Sequence, residues 1–502
     1  MGAKDTTELM PANKRPMHHR CLIVVLGLCL SLTPLHVWSI SGDDLPDIGA
    51  ASGNMFTPAQ EKQLGKTFMR YIRATQPVIT DPLMDDYINK LGNTLVDHSQ
   101  GAGSKFTFFL VDSPQVNAYA GPGGYIGVYT GLVLTTESES ELAAVLAHEI
   151  THVTQKHLQR AWYAASNLSL VQGAALVAAI ILGATAGGDA AIAATMGAQA
   201  ALKQQQINFT RHNEKEADRL GINILHDADF DPHAMPSFFA RMGRANKRYG
   251  TELPEFLRTH PVTNSRIADS LGRAEKFPYR QRPDSIRYLL LRAHLRERSF
   301  DEPSQAVTYF RTLLKEGRYR DESAARYGLS LALLRDDRYQ DAAEELNKLI
   351  QQRPGTLEFV IAASRTDMEA GNKKKAISHL EQSAHKFPLS YPLQITLAEF
   401  YLRAGQADKA YKKLKLLTSL QPENTQTYKL LAQAAATLGN KAESHEYMAM
   451  HYYLMGALES SLMQLKIALR VPGLNFYRTA RLESQLKKVQ SEIDELKKEH
   501  DK

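Results

Sequence analysis

Cysteine is nearly missing from this chain: among 502 residues only Cys21 and Cys29 carry a thiol, and both fall in an apolar stretch near the N-terminus. The rest of the protein has no disulfide to brace it, so its stability must come from packed cores. A surplus of one charge is also lacking. A formal net charge of +6, small for this length and with no dominant Lys/Arg block, does not favour nucleic acid as a partner. With 43% apolar and 23% charged residues the composition is that of a folded protein, and the length allows two or three domains.

Apolar runs long enough to cross a bilayer are scarce. Lys4, Lys14, Arg15 and Arg20 precede the run 21–32 (CLIVVLGLCLSL), the pattern of a secretory signal peptide spanning residues 1–41, with cleavage near 39–41. Leu28 and Arg20, standing before the two cysteines, are not the small residues that lipoprotein processing requires. An uncleaved anchor is the alternative, but the run is short against the roughly 20 residues a span needs. In either case the remainder is exported. A second uncharged stretch lies between Ala161 and Gly188. A single crossing there would put the motifs on its two sides on opposite faces of a membrane. Residues 161–206 are therefore expected to form a helical flap that packs on the rest of the chain or touches a membrane, with a membrane-embedded protein as the weaker reading.

What is present falls into two halves. Leu64, Phe68, Tyr71 and Ile72, then Met84, Tyr87, Ile88 and Leu91, recur at helical spacing. Residues 106–112 and 124–129 are short β-branched and aromatic runs around a glycine-rich loop, which predicts a small sheet. Helices are expected at about 138–160 and 213–224. Beyond Pro283 a repeat takes over: Pro354, Pro388 and Pro422, Gly371, Gly405 and Gly439, and Ala342, Ala376 and Ala410 all recur at intervals of 34 residues. Leu346, Leu380 and Leu414 follow each alanine by four, and Ala398 and Ala432 take the small position of the first helix. This predicts a tetratricopeptide solenoid over 284–480, capped by atypical pairs, whose concave face holds a protein partner. Residues 481–502, rich in Lys and Glu, read as a solvated terminal helix.

The chemistry sits in His148-Glu149-Ile150-Thr151-His152. On a helix this H-E-x-x-H pattern places two imidazoles one turn apart with a carboxylate beside them, a spacing that suits one tetrahedral metal ion. The motif also lies on the apolar stripe formed by Leu142, Val145, Leu146 and Val153. Burying such groups without partners would cost roughly 2–7 kcal/mol each, and coordination removes that penalty. A catalytic zinc needs a third protein ligand and an open position. Glu214 supplies the ligand, while Asp218, one turn on, can hydrogen-bond a ligand imidazole; Glu216 points away. His157 and His212 read as surface residues.

H-E-x-x-H followed by Glu214-Lys215-Glu216-Ala217-Asp218, with Asn117-Ala118-Tyr119-Ala120 upstream and Thr259-His260-Pro261 downstream, resembles the gluzincin peptidase family that includes the HtpX heat-shock protease and the CAAX prenyl protease. Within it, the order of leader, peptidase and tetratricopeptide array is similar to the branch that assists β-barrel assembly in Gram-negative bacteria. The resemblance implies an α+β zincin-like metallopeptidase domain over about 45–275 followed by an all-α tetratricopeptide solenoid, with one Zn2+ per chain held by His148, His152 and Glu214, and Glu149 as general base. It implies that His260 caps the zinc until a substrate or partner displaces it, and that Asn117 and Ala118 lie on an edge strand that pairs with substrate. The implied setting is the periplasm, the partner the outer-membrane β-barrel assembly machinery, and the clients unfolded or misassembled outer-membrane proteins, with peripheral membrane contact through the flap. Integral relatives insert two spans between the motifs, which this chain lacks in its hydropathy. A chaperone or adaptor with a largely latent site is the rival reading.

Overall fold

A computed structural model of the chain describes residues 57–158, 199–249 and 255–500. The expected leader and nearly all of the expected flap lie outside them. Among the described residues no helix is long and apolar enough to cross a membrane.

Two helices open the described chain. Helix α1, Pro58–Thr75, begins with a reciprocal capping box between Thr57 and Gln60, and α2, Pro82–Asp97, begins with Asp81 accepting from the backbone of Leu83 and Met84. Both have proline in the first turn, where its missing N–H costs nothing. Of the periodic residues predicted to face a core, Tyr71 alone is exposed. Three short strands follow: β1, Thr107–Val111, β2, Ala118–Ala120, and β3, Tyr125–Tyr129. Strand β3 lies in the middle, parallel to β1 and antiparallel to β2. The turn from β2 to β3 needs Gly124 at φ +77°, where an added Cβ would also meet the Lys105 carbonyl at 2.6 Å.

After a short helix α3, Thr130–Thr135, comes α4, Glu139–Thr154, capped by Ser138 and buried on every face from Glu139 to Thr151. It is surrounded by α2, the sheet, α5 (Gln199–Asp227) and α6 (Ala234–Tyr249). Helix α4 stops at Thr154 rather than near 160, because Lys156 takes a left-handed conformation, φ +54°, and turns the chain back. A short α7, Glu255–Thr259, and α8, Asn264–Ala274, close this half.

The solenoid runs from α9, Ile286–Arg298, and α10, Pro303–Lys315, through the pairs α11, Glu322–Arg335, with α12, Tyr339–Gln352; α13, Leu357–Glu369, with α14, Lys373–Lys386; α15, Tyr391–Arg403, with α16, Ala407–Leu420; and α17, Thr425–Thr437, with α18, Lys441–Leu454. Helices α19, Leu458–Leu469, and α20, Phe476–His500, end it. The glycine period is the positive φ needed between paired helices, and Ala342, Ala376 and Ala410 with Leu346, Leu380 and Leu414 are fully buried.

Three features of this half go beyond the sequence reading, and one of them corrects it. Helix α9 packs both ways: its Tyr288, Leu291 and Leu295 belong to the core of the N-terminal half, with the Tyr288 hydroxyl 2.8 Å from Thr136 Oγ1, while its Leu290 and Ala293 pack with Ala324 and Tyr327 of α11. The terminal helix is docked rather than solvated. It starts at Phe476, buries Leu482, Val489 and Ile493, and ties Glu492 to Arg70 of α1 at 2.8 Å and to the Tyr453 hydroxyl at 2.8 Å. The first-helix face of the solenoid is partly covered by α2 of the N-terminal half, since Leu83 packs in one cluster with Ile361 and Leu393, while Arg287 bridges Asp86 and Glu358 at 2.9 and 2.8 Å.

That interface makes a pH prediction. Asp85, partly buried on α2, loses hydration and faces Asp81, which pushes its carboxyl from 3.8 up to about 8. A raised folded-state pKa means the folded protein holds this proton more tightly, so the associated stability is present at acid pH and lost as pH rises from about 4 through about 8. The variant Asp85→Asn should flatten that slope and gain on the order of 1 kcal/mol at pH 8. Thermal midpoints between pH 5 and 9 check it, and parallel curves for the two proteins would refute it.

Candidate metal centre

Four-residue spacing on α4 brings the His148 and His152 Nε2 atoms to 3.0 Å from each other. Helix α5 crosses α4 closely because Gly221 carries no side chain: a Cβ there would sit 2.9 Å from Met235 and 3.3 Å from the His148 backbone nitrogen. This approach puts Glu214 Oε2 at 3.4 Å from His148 Nε2 and Glu214 Oε1 at 3.4 Å from His152 Nε2. The turn after α7 adds His260, whose Nδ1 lies 3.1 Å from both Glu214 oxygens and 3.3 Å from His148 Nε2. Four candidate ligand atoms, one each from His148, His152, Glu214 and His260, lie within 4.8 Å of one another.

These separations test whether an ion fits. Bonds of about 2.0–2.1 Å in a tetrahedron set its ligand atoms roughly 3.3 Å apart. The separations of 3.0–3.4 Å from His148 to His152 and His260, and from Glu214 to all three histidines through one or other of its oxygens, are close to that value, within a group whose atoms all lie inside 4.8 Å. The donor set, imidazoles with one carboxylate, also suits a divalent transition metal. Without one, two buried imidazole nitrogens would point at each other. Burial alone would lower His148, but the carboxylates of Asp218 and Glu214 more than offset it and bring it up to about 10, whereas burial, with His148 beside it, takes His152 down to about 4. Glu214, despite burial, is held well below the usual carboxylate range by His260, His148 and His152.

Glu149 is buried outside this group, with Oε1 3.3 Å from His260 Nε2. Asp218 Oδ1 lies 3.0 Å from His148 Nδ1, on the far side of that ring from the other ligand atoms. Sequence reasoning missed Arg266. From the first turn of α8 its buried guanidinium donates to both Asp218 oxygens at 2.7 and 2.8 Å, pairs with Glu214 Oε2 at 2.8 Å and donates to the Pro261 carbonyl at 3.0 Å. No local pattern marks it, because the arginine reaches the site only through the packing of α8 on α5.

His212 is exposed, whereas His157 is not a surface residue. The left-handed Lys156 folds it back so that its Nδ1 lies 2.8 Å from His152 Nδ1 and its Nε2 lies 3.0 Å from Glu216 Oε2. Asn117 and Ala118 are fully buried, and the strand that Ala118 begins packs against α4, the helix that carries His148 and His152. Ala118 begins β2, the edge strand of the sheet. Tyr129 N–H donates to the Asn117 carbonyl at 3.0 Å, so the alternation of an antiparallel pair turns the backbone groups of Ala118 and Ala120 to the outer side. The side-chain amide of Asn117 is buried with no hydrogen-bond partner among the described residues.

Residues 82–274 match the model of peptidase family M48, and residues 367–449 match a tetratricopeptide repeat. The chain is 33% identical over 446 residues to the β-barrel assembly-enhancing protease of Escherichia coli K12, covering 89% of this chain and 91% of that protein. The chain belongs to peptidase family M48. Another M48-type relative, the putative β-barrel assembly-enhancing protease of Vibrio cholerae, is 36% identical and covers 83% of this chain and 86% of its own length. A more distant one, the mitochondrial metalloendopeptidase OMA1 of Bos taurus, is 32% identical over 33% of this chain and 31% of its own. The solved structure of yeast Tom70 aligns over 71% of this chain and 83% of its own at 10% identity and a TM-score of 0.29, too distant to bear on the site. This M48 protein is thus a metallopeptidase with a helical repeat array.

Proposed function

We propose that this M48 peptidase is an exported zinc endopeptidase that acts in the periplasm on unfolded or misassembled outer-membrane proteins and works with the machinery that assembles them. The observation that carries the enzymatic part is the set of near-tetrahedral separations among His148, His152 and Glu214, with the Glu149 carboxylate beside them. The setting and clients draw support from the leader pattern and from the names of the relatives.

In this reading His148, His152 and Glu214 hold the ion, which supplies Lewis acidity toward a water and toward the scissile carbonyl. Glu149 takes the proton of the attacking water and passes it to the leaving amine. Asp218, itself held by Arg266, fixes the tautomer and tilt of His148. The outer side of β2 at Ala118 offers the backbone groups an extended substrate would pair with. His260 occupies the vertex that a catalytic site keeps open, so the resting site is closed. That closure is also what favours the second reading, an adaptor whose protease is mostly latent.

Elemental analysis of the purified protein should find one zinc per chain. A chelator should stop cleavage of a denatured outer-membrane protein, and added zinc should restore it. Cleavage that proceeds in metal-free protein would end the reading.

A further inference from the structure

We infer that His157 and Glu216 form a relay that orients and polarises His152 as a metal ligand, a positioning pair for one imidazole as Asp218 is for the other. The inference rests on the metal-centre reading above and deepens it.

The two imidazoles are supported differently. His148 Nδ1 faces a carboxylate directly, with Asp218 Oδ1 at 3.0 Å. His152 Nδ1 faces another imidazole, His157 Nδ1, at 2.8 Å. The direction of the protons follows. With His152 Nε2 aimed at Glu214 and His148, the ring's one remaining proton must sit on Nδ1. That N–H donates to His157 Nδ1, which must then be the bare nitrogen. The His157 proton therefore sits on Nε2 and is donated to Glu216 Oε2 at 3.0 Å. One arrangement satisfies both contacts, and it ends on an anion. The chain from Glu216 through His157 to His152 is a carboxylate–histidine support lengthened by one ring, and such support raises ligand basicity and holds ring orientation.

Burial and backbone agree with this. His157 is 5% exposed, which an imidazole tolerates only with its nitrogens satisfied. Had α4 continued, His157 would stand about 140° around the helix from His152. The left-handed Lys156 removes that angle. Glu214 and Asp218 sit on one face of α5, while Glu216 between them turns to the other and meets His157 there. Helix α5 thereby supports both histidines of α4 from two sides.

The test is zinc affinity of the purified protein, read by competition with a fluorescent chelator, for wild type, His157→Phe, His157→Gln and Glu216→Gln, with thermal midpoints of the metal-free proteins recorded alongside. Phenylalanine fills the space without an acceptor, and affinity should fall 10- to 100-fold. Glutamine supplies an acceptor oxygen and should recover most of the loss, while Glu216→Gln should cost a few-fold. Wild-type affinity in His157→Phe, or equal losses in the Phe and Gln variants, would overturn the relay and leave His157 as core packing. If His157→Phe fails to fold, Glu216→Gln decides: a few-fold loss supports the relay, and unchanged affinity overturns it. A wild type that binds no zinc would instead take down the metal centre and the relay with it.

Discussion

Glu149→Gln should abolish peptide hydrolysis while leaving metal content, fold and solenoid contacts unchanged. The side chain is 1% exposed and lies outside the four-residue ligand group, so an amide of equal size replaces the carboxylate with little repacking. What it loses is the ability to take a proton from water near neutral pH. General-base catalysis of this kind contributes roughly 10²–10⁴-fold, and because Glu214 and Asp218, the other carboxylates against the two histidines among the described residues, are both paired with Arg266, a loss near the upper end is expected, about 5 kcal/mol of barrier. The fall should appear in kcat, with KM for an unfolded outer-membrane protein little changed. The same variant separates the two readings in cells: a protease function disappears, whereas an adaptor function survives. Undiminished cleavage by a zinc-loaded Glu149→Gln protein would remove Glu149 from the chemistry.

His260→Ala should act in the opposite direction and raise basal cleavage. His260 Nδ1 lies 3.1 Å from Glu214 and 3.3 Å from His148, and its Nε2 lies 3.3 Å from Glu149, so under the capping proposal one ring would block both the open position and the base. An enzyme that spends only one part in ten to one part in a hundred of its time open loses the same factor in apparent activity. Removing the cap should therefore raise turnover about ten- to a hundredfold without a client or partner present, and make it indifferent to whatever normally displaces the cap. Zinc should bind somewhat more weakly, because one ligand is gone. Loss of both zinc and activity would show instead that His260 is a permanent ligand and that the site is closed in the manner of a structural metal.

Much of this was legible before any coordinates. H-E-x-x-H at 148–152 and the Glu214/Asp218 pair are statements about helix geometry, and a helix carries its own geometry wherever it is placed. The tetratricopeptide period is likewise local, since each glycine marks a left-handed turn and each alanine a close helix contact. The stripe of Leu482, Leu486, Val489 and Ile493 was equally present in the sequence, but lysines and glutamates around it suggested solvent; the structure buries three of the four against α18 and α19.

Arg266, His157 and α9 were not legible in this way. Arg266 reaches Asp218 across 48 residues, a meeting set by how α8 packs. His157 depends on one left-handed lysine in a stretch, Thr-Gln-Lys-His, that gives no local signal for it. Helix α9 falls in the span read as solenoid, yet its Tyr288, Leu291 and Leu295 pack in the core of the peptidase half. The sequence by itself determined which side chains of α4 and α5 could hold a metal ion together, because residue type and spacing along a helix decide that. Tertiary packing alone decided which groups lie against those residues, that His260 joins the ligand group, and that α9 packs into both halves, because these depend on contacts between segments that no local period encodes.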